Sequence, residues 1–436
     1  MSQTQLKRAH VLRSYNEGTF SRREAAEKLS LSERQVRRLA KGMREEGEKA
    51  LIHKNSGRKP AIALSDKTKE AIVMLRRQEA FAKCNVMHFQ EVLERDHKID
   101  VSYSALYGLL KEAGIESPKK RRRAKAHRRR KRKAHPGELC QIDASPFDWF
   151  DNGTQSSMHG TIDDATGEIT GLFMAENECL QGYFEVTGQT CRGFGVPLAF
   201  YSDKHTVFRS PATGRKEALG EEANLTQFGR AVDELGISII YANSPQAKGR
   251  IERLWGTLQS RIPVELKLRG IADMDAANKY LAETFIPEYN QRKAVEAEGE
   301  PMYVPLRADV RLDDILCVKD ERKMDSAGVF SYKGKCFKVL DEGYPLIPAK
   351  ATVTVLANFR TGLKVSYKGR TYDTLMVEKP ARKAPMRSRQ RKPADTVVRQ
   401  WLRHSSDEWR KVWHYESIED TLDFLYDVFF IDIDIA

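Results

Sequence analysis

Three acidic residues, Asp143, Asp203 and Glu252, stand where a metal-dependent nuclease needs carboxylates. Asp143 lies in an apolar run typical of a β-strand, Asp203 ends a second apolar run, and Glu252 follows a loop that leads into a helix. Two carboxylates at neighbouring strand ends and a third on a helix can hold two Mg²⁺ ions about 4 Å apart. Such a pair of ions activates a water or a 3′-hydroxyl and stabilises the leaving oxygen of a phosphodiester. The three residues therefore predict phosphodiester chemistry.

The elements around these residues follow an order that would bring them together. The predicted strands and helices, in chain order, are strands over about 139–142, 158–162 and 169–174, a helix over 177–193, a strand over 197–203, a helix over 223–235, a strand over 237–241 and a helix over 246–262. This βββαβαβα order is that of ribonuclease-H-like domains, in which the first and fourth strands are adjacent. That adjacency would place Asp143 beside Asp203.

The last of these helices has an apolar face and a polar face. Its predicted buried stripe consists of Ile251, Leu254, Trp255, Leu258 and Ile262. Lys248, Glu252 and Gln259 share another face. A carboxylate with a lysine one turn earlier suits metal binding beside a phosphate backbone.

Other polar residues compete for a place in this site. Asp163 and Asp164 begin a turn sequence that ends at Gly167, and there turn formation and exposure to solvent are expected. His205 follows Asp203 by two positions and could contact substrate or a metal-bound water. A loop histidine without assigned partners is more often neither.

The chain is basic, and its excess charge is local. Residues 119–133 hold twelve Lys and Arg side chains and no acid, and without them the net charge of +13 falls to about +1. Such a run is usually a solvated segment, and its commonest partner is DNA phosphate. Within this tract, Lys119 and Arg128 are predicted to contact DNA.

Residues 4–46 are typical of a helix-turn-helix. Ser21 and Ser32 each begin a predicted capping box, and a compact apolar seam follows them. The outer face of the second marked helix carries the predicted DNA-reading residues Arg34, Gln35, Arg37, Arg38 and Lys41. The alternative is a small helical bundle with a solvated basic face.

A second helical unit is predicted over about 65–79, 87–96 and 102–113. Tyr103 and Tyr107 could face DNA from its last helix, or could be ordinary surface residues. Arg58, in the linker before this unit, could lie in a minor groove.

The C-terminal region contains a small internal repeat. Tyr332-Lys-Gly-Lys-Cys-Phe337 and Tyr367-Lys-Gly-Arg-Thr-Tyr372 each predict a hairpin with glycine at the turn, and together with neighbouring apolar runs they predict a small β-barrel. Six cysteines without zinc-type spacing and a start without an apolar leader favour a cytoplasmic protein. Binding to DNA would make it nucleoid-associated.

Three segments carry a resemblance to a known family. Gln141-Ile-Asp-Ala-Ser145, Tyr201-Ser-Asp-Lys204 and Asn243-Ser-Pro-Gln-Ala-Lys-Gly-Arg-Ile-Glu-Arg253 resemble the motifs of DDE transposases with a retroviral-integrase-type core, closest to the unclassified (ISNCY) grouping of bacterial insertion sequences. The third segment is similar to the family's Pro-x-x-x-Gly-x-x-Glu-Arg signature.

The resemblance implies roles for individual residues. Asp143, Asp203 and Glu252 would form the catalytic triad and hold two Mg²⁺ or Mn²⁺ ions per active site, and Arg253 would brace the helix or the carboxylates. Lys248 stands where the family commonly has asparagine, so its DNA contact departs from the pattern. The gap between Asp203 and Glu252 is longer than is usual for the family, which an insertion over 204–222 explains.

The resulting expectation is a multi-domain protein. The predicted domains are a helix-turn-helix DNA-binding domain (1–50), a second helical DNA-binding domain (61–115), a basic linker (116–135), a ribonuclease-H-like α/β catalytic core (136–300), a small β-barrel (301–380) and a basic linker with a C-terminal tail (381–436). It would bind terminal inverted repeats and target DNA as a dimer or tetramer, cleave the ends and join them. The alternatives are a non-catalytic DNA-binding regulator derived from a transposase and a nuclease that cuts without joining.

Overall fold

The protein was analysed as a computed structural model, which describes residues 3–51, 64–118, 131–210, 225–242, 248–340 and 346–378. The chain forms two compact units, residues 1–74 and 75–436, and each is described by itself. No helix within the described ranges is long and apolar enough to cross a membrane.

The first unit contains the expected helix-turn-helix. Its helices are α1 (Gln3–Asn16), α2 (Arg22–Leu29) and α3 (Glu33–Glu46), and a fourth, α4 (Asp66–Arg76), crosses the boundary between the units. Ser21 and Glu24 form the predicted capping box at α2, which satisfies two backbone amides at the start of that helix. Ser32 caps α3 by accepting from the Gln35 amide, so within the described chain α3 has a simple N-cap in place of the predicted box.

A small apolar core holds these three helices together. Ala25 and Val36 are fully buried, and Leu29, Leu31 and Leu39 pack at the edge of the same cluster. The predicted seam is therefore the core of this unit. Because the apolar side of α3 is buried in this core, the basic side of α3 faces solvent.

The second unit is built on a five-stranded sheet. Its strands are β1 (Cys140–Phe147), β2 (Ser156–Asp163), β3 (Ile169–Ala175), β4 (Ala199–Ser202) and β5 (Ser238–Tyr241), in the order β3-β2-β1-β4-β5. Helix α7 (Leu180–Gly193) follows β3, α8 (Gln227–Glu234) precedes β5, and α9 (Gly249–Leu258) follows β5. The βββαβαβα order and the adjacency of the first and fourth strands are confirmed.

The register between β1 and β4 matters for the site. The two strands run parallel, with Cys140 beside Phe200 and Gln141 beside Tyr201. Asp143 and Asp203 each lie two residues beyond Gln141 and Tyr201. Asp143, within β1, and Asp203, just after the end of β4, therefore lie level with each other on neighbouring strands.

The helix predicted over 246–262 is shorter than expected. α9 ends at Leu258, and Ile262 begins a separate helix, α10 (Ile262–Arg269), with Pro263 in its first turn. Proline has no backbone N–H and its ring clashes with the preceding turn, so it is tolerated only at the start of a helix. Helices α11 (Met274–Tyr280) and α12 (Ile286–Lys293) follow, joined by a π-helical turn over Leu281–Phe285.

Two more helices, α5 (Val86–His97) and α6 (Tyr103–Glu112), lie close to their predicted ranges. α5 is attached to α10 by buried charges, because Glu265 accepts from His88 Nε2 at 2.7 Å and from Arg95 Nη2 at 3.1 Å. Burial disfavours ionisation of Glu265, but the bonds from His88 and Arg95 outweigh it and hold the pKa of Glu265 well below its usual range.

The C-terminal part of the described chain is a six-stranded, nearly closed barrel. It follows the short helix α13 (Leu312–Ile315). Its strands are β6 (Val318–Lys323), β7 (Val329–Tyr332), β8 (Lys335–Val339), β9 (Thr352–Asn358), β10 (Gly362–Tyr367) and β11 (Arg370–Val377). They are arranged in the order β6-β9-β10-β11-β8-β7. Both hairpins of the repeat turn at a Lys-Gly pair with positive φ, 43° and 81° at Lys333 and Gly334, and 49° and 77° at Lys368 and Gly369. These angles are typical of the tight turns that match strand twist, so the predicted hairpins are confirmed.

A second ion pair joins α5 to the core and gives a pH-dependent prediction. Glu91 accepts from Arg261 Nη2 and from Lys293 Nζ, both at 3.0 Å. Burial raises the pKa of Glu91, but these two cations outweigh it and lower the pKa to about 2. Because the folded-state pKa lies below the value near 4.5 of an unfolded chain, the stability from this carboxylate is complete above pH 4.5 and is lost as pH falls through about 2.

We therefore expect Glu91→Gln to lower the free energy of unfolding by about 3 kcal/mol at pH 7, because the variant leaves Arg261 buried beside a neutral partner. The difference from wild type should shrink below pH 4.5 and vanish near pH 2, measured by thermal or denaturant unfolding. Glu288→Gln, which loses only a 3.5 Å contact to Arg95, is the control and should change little. Equal stabilities of Glu91→Gln and wild type at pH 7 would contradict this account.

Candidate active site

Asp143 and Asp203 are joined by a lysine ammonium. Lys248 Nζ lies 2.8 Å from Asp143 Oδ1 and 3.6 Å from Asp203 Oδ2, and the Lys248 side chain is only 7% exposed. The two acids are 60 positions apart in sequence but share one cation. The structure thus brings together two of the three predicted catalytic carboxylates.

The other oxygen of Asp143 is held by α9. Trp255 Nε1 donates to Asp143 Oδ2 at 3.2 Å. Trp255 fits there because Gly160, which faces Asp143 across the β1–β2 pair, has no side chain; a Cβ at that position would lie 2.7 Å from the indole ring. Both oxygens of Asp143 are therefore fixed by residues on or just before α9.

Asp203 sits in a more open loop. Its side chain is 50% exposed, and its Oδ1 accepts from the backbone amide of His205 at 3.0 Å. The His205 ring lies 3.6 Å from Glu178, which also accepts from the Tyr183 hydroxyl at 2.5 Å. His205 thus contacts Asp203 through its backbone, while its ring faces another acid.

Glu178 is a neighbour of the site that the sequence did not reveal. Burial, and then the charges of Glu178, Asp143 and Asp203, raise the pKa of the Tyr183 hydroxyl well above its usual value. Tyr183 therefore remains a neutral donor beside three carboxylates. The signal available in the sequence was weak: an acid just before the start of α7.

A buried clasp seats α9 on the sheet. Gln141, fully buried in β1, accepts from the Ile251 amide at 3.2 Å through Oε1 and donates to Asp164 Oδ1 at 2.8 Å through Nε2. Arg250 Nε completes the clasp, 2.7 Å from the same Asp164 oxygen. The amides of a helix's first turn have no partner within the helix, so a side chain from the sheet supplies one here.

The structure corrects the expectation of solvent exposure for Asp163 and Asp164, because both are buried. Asp163 does form the predicted turn, accepting from the amides of Ala165 and Thr166, and it also accepts from the Gly137 amide and the Tyr303 hydroxyl. Burial is possible because each charge is met by several donors, which offsets the cost of removing it from water. Both acids therefore have structural partners.

Glu252 lies on α9, one turn after Lys248, and its side chain is exposed. Among the described residues, none donates a hydrogen bond to it, and no three His, Cys, Asp or Glu side chains gather closely enough to hold a metal. The segment just before α9, residues 243–247, lies outside the described residues. The place of Glu252 in the triad stays a prediction.

The donor set at Asp143 and Asp203 nevertheless suits a hard divalent cation. Carboxylate oxygens are the ligands that Mg²⁺ and Mn²⁺ prefer. A single cation, the Lys248 ammonium, already lies within reach of both carboxylates. The carboxylates of Asp143 and Asp203 therefore already lie on either side of one positive charge. Their positions and their oxygen donors fit the expected Mg²⁺ or Mn²⁺ ion.

The predicted DNA contacts fall into four groups. On α3, the whole predicted set is exposed: Arg34, Gln35, Arg37, Arg38 and Lys41. Tyr103 and Tyr107 on α6 are 45% and 49% exposed, with stacked rings 6.2 Å apart. Arg58, Lys119 and Arg128 lie outside the described residues.

The remaining two predicted contacts lie at α9. Arg253 is exposed and donates from Nε to the Gly249 carbonyl at 2.6 Å, so it braces the first turn of the helix. Lys248 is buried between the two acids. All of these DNA contacts stay predictions.

The clasp gives a prediction about the seating of α9. Gln141→Leu keeps the side-chain size but removes the acceptor for the Ile251 amide, so we expect hydrogen exchange at Ile251 to be at least about tenfold faster. Gln259→Leu is the matched control, since Gln259 bonds Ser145 at the far end of the helix. The control should leave Ile251 protected; equal exchange at Ile251 in wild type and Gln141→Leu would show that the clasp does not hold the helix.

Comparisons with known proteins agree with this organisation. A family model for a helix-turn-helix domain matches residues 7–60. A protein of Sinorhizobium fredii named “Putative transposase y4bF” is 38% identical over 336 residues, 76% of this chain and 72% of that protein. The transposase for insertion sequence IS1202 of Streptococcus pneumoniae is 32% identical over 368 residues, 76% of this chain and 77% of that protein.

Solved structures give a more remote likeness. The catalytic core domain of HTLV-2 integrase in complex with magnesium is 17% identical, with 34% of this chain and 86% of that chain covered and a TM-score of 0.25. A simian T-cell lymphotropic virus intasome in complex with a PP2A regulatory subunit is 14% identical, with 71% of this chain and 100% of that chain covered and a TM-score of 0.30. On the sequence relationship to these two proteins, the chain belongs to the transposase family.

Proposed function

We propose that this transposase cleaves DNA at the ends of its mobile element and joins those ends to target DNA, using Asp143, Asp203 and Glu252. The observation that carries the proposal is the pairing of Asp143, in β1, and Asp203, just after β4, around one cation. The family membership supplies the reaction class, and the carboxylates supply chemistry suited to it.

The three carboxylates would hold two Mg²⁺ or Mn²⁺ ions, which when bound polarise a phosphodiester and activate a water or a 3′-hydroxyl. Trp255 and the His205 amide orient one oxygen each of Asp143 and Asp203. Glu252 stands one turn along α9 from Lys248, so its position depends on the seating of the same helix. Preorganised ligands of this kind avoid reorganisation at the moment of reaction.

The reaction proceeds in two displacements at phosphorus. Water attacks the phosphodiester at an element end, the bond from phosphorus to the 3′-oxygen breaks, and a free 3′-hydroxyl is left. That hydroxyl then attacks a target phosphodiester in line, and a 3′-hydroxyl of the target leaves. The number of phosphodiester bonds is conserved in the joining step, and no enzyme side chain becomes covalently attached.

DNA recognition is assigned to the basic surfaces outside the site. The exposed face of α3 would read the terminal repeats, and the basic tract over 119–133 would hold phosphate without regard to sequence. Cutting two ends in concert requires at least two protomers, so we propose a dimer or tetramer on DNA.

The triad is tested by removing one charge at a time. Asp143→Asn, Asp203→Asn and Glu252→Gln preserve side-chain volume but lose a metal-ligand charge, so each should reduce cleavage and joining at least about 100-fold while end-DNA binding changes little. The assay is strand transfer of end DNA in Mg²⁺ and in EDTA. Asp309→Asn is the control, because Asp309 is an exposed acid paired only with Arg307 among the described residues.

Near-normal joining by Glu252→Gln would remove Glu252 from the triad. Absence of any cleavage or joining by the wild-type protein, with specific end binding retained, would favour the non-catalytic regulator instead.

The DNA-reading face is tested separately from the basic tract. Replacing Arg34, Arg37 and Arg38 with alanine should reduce the preference for end DNA over random DNA at least about tenfold, because base contacts carry the sequence information. Neutralising 119–133 should weaken binding to both DNAs alike and flatten its salt dependence. Equal loss of affinity for both DNAs in the arginine variant would mean that α3 supplies charge alone.

A further inference from the structure

Lys248 is an unusual feature of this site. Lysine is rarely buried unless it is paired, yet Lys248 is 5% exposed and its ammonium lies between two carboxylates. It is also not part of the helix that follows: its backbone, at φ −94° and ψ 16°, precedes α9 and it makes no side-chain cap bond. The Lys248 side chain therefore interacts with the two carboxylates and does not cap α9.

The charges explain why this arrangement is stable without a metal. Asp143 is 19% exposed, so an uncompensated negative charge there would be costly, and a second carboxylate nearby would add repulsion. The ammonium cancels part of that repulsion and satisfies Asp143 Oδ1 directly. The ammonium thus offsets the negative charge of the two acids, as a divalent cation would.

An ammonium and a divalent cation compete for the same two carboxylates, because the two positive charges repel each other at short range. Asp143 Oδ1 is bonded by Lys248 and Oδ2 by Trp255, so each oxygen of this acid has a described donor. A metal ion close to Asp143 would meet the positive charge of Lys248 at short range. This repulsion disfavours the presence of both cations at Asp143.

We propose that Lys248 is a built-in counter-ion that holds Asp143 and Asp203 together in the metal-free protein and is displaced when a divalent cation binds. The inference rests on the proposed function, since it assumes that these acids bind metal. Displacement would move the residue that leads into α9, the helix that carries Glu252, and so would link metal binding to the position of that acid. The released ammonium would be free to pair with DNA phosphate, the contact expected for Lys248 from the sequence.

The direct test is Mn²⁺ binding by the full-length protein, measured by electron paramagnetic resonance without DNA. Lys248→Gln should bind Mn²⁺ about tenfold more tightly than wild type, because no ammonium has to be displaced. Its metal-free form should melt at a lower temperature, and Mn²⁺ should raise that temperature more than in wild type. Lys248→Arg keeps the charge and should bind Mn²⁺ no more tightly than wild type.

Two further variants separate the possible failures. Lys267→Gln, which removes an exposed pair with Glu79, is the control and should match wild type in Mn²⁺ affinity. Asp143→Asn should lose Mn²⁺ binding in either background. If Lys248→Gln binds Mn²⁺ no more tightly than wild type, and wild type binds it through Asp143, the counter-ion proposal alone is overturned. Binding that Asp143→Asn does not affect would overturn the proposed function as well.

Discussion

The site depends most on one buried contact, the clasp that joins α9 to β1. Gln141, Asp164 and Arg250 come from a strand, a turn and a helix, and their polar groups satisfy one another away from water. A buried charge such as Asp164 is stable only when it is fully partnered, so the clasp favours a single seating of the helix. That seating delivers both Lys248 and Trp255 to Asp143.

The sheet supplies the other half of the arrangement. The parallel pairing of β1 and β4 brings Asp143 and Asp203 side by side, although 60 positions separate them in sequence. Asp143 is held rigidly by α9, whereas Asp203 lies in a half-exposed loop. One of the two carboxylates is thus fixed and the other can adjust, as the proposed reaction with two successive phosphodiester substrates would require.

Local patterns predicted much of this structure. The Lys-Gly hairpins and the cap at Ser21 follow from spacing and turn chemistry within a few residues. The adjacency of β1 and β4 was predicted from the order of the elements, which is that of ribonuclease-H-like domains. What could not be predicted involves partners distant in sequence. The burial of Asp164 depends on Arg250, the ammonium between the acids comes from Lys248, and the docking of α5 depends on Glu265. Helical periodicity placed Glu252 on a polar face, but periodicity says nothing about its distance from Asp143.

The proposed reaction requires that Asp143, Asp203 and Glu252 hold the metal that serves DNA cleavage and joining. Anomalous scattering from Mn²⁺, in a crystal of the full-length protein bound to its end DNA, locates that metal directly. We expect manganese within coordination distance of Asp143 and Asp203, with Glu252 turned toward it and the Lys248 ammonium withdrawn. Manganese bound elsewhere, with Lys248 still between the two acids, would contradict the proposal.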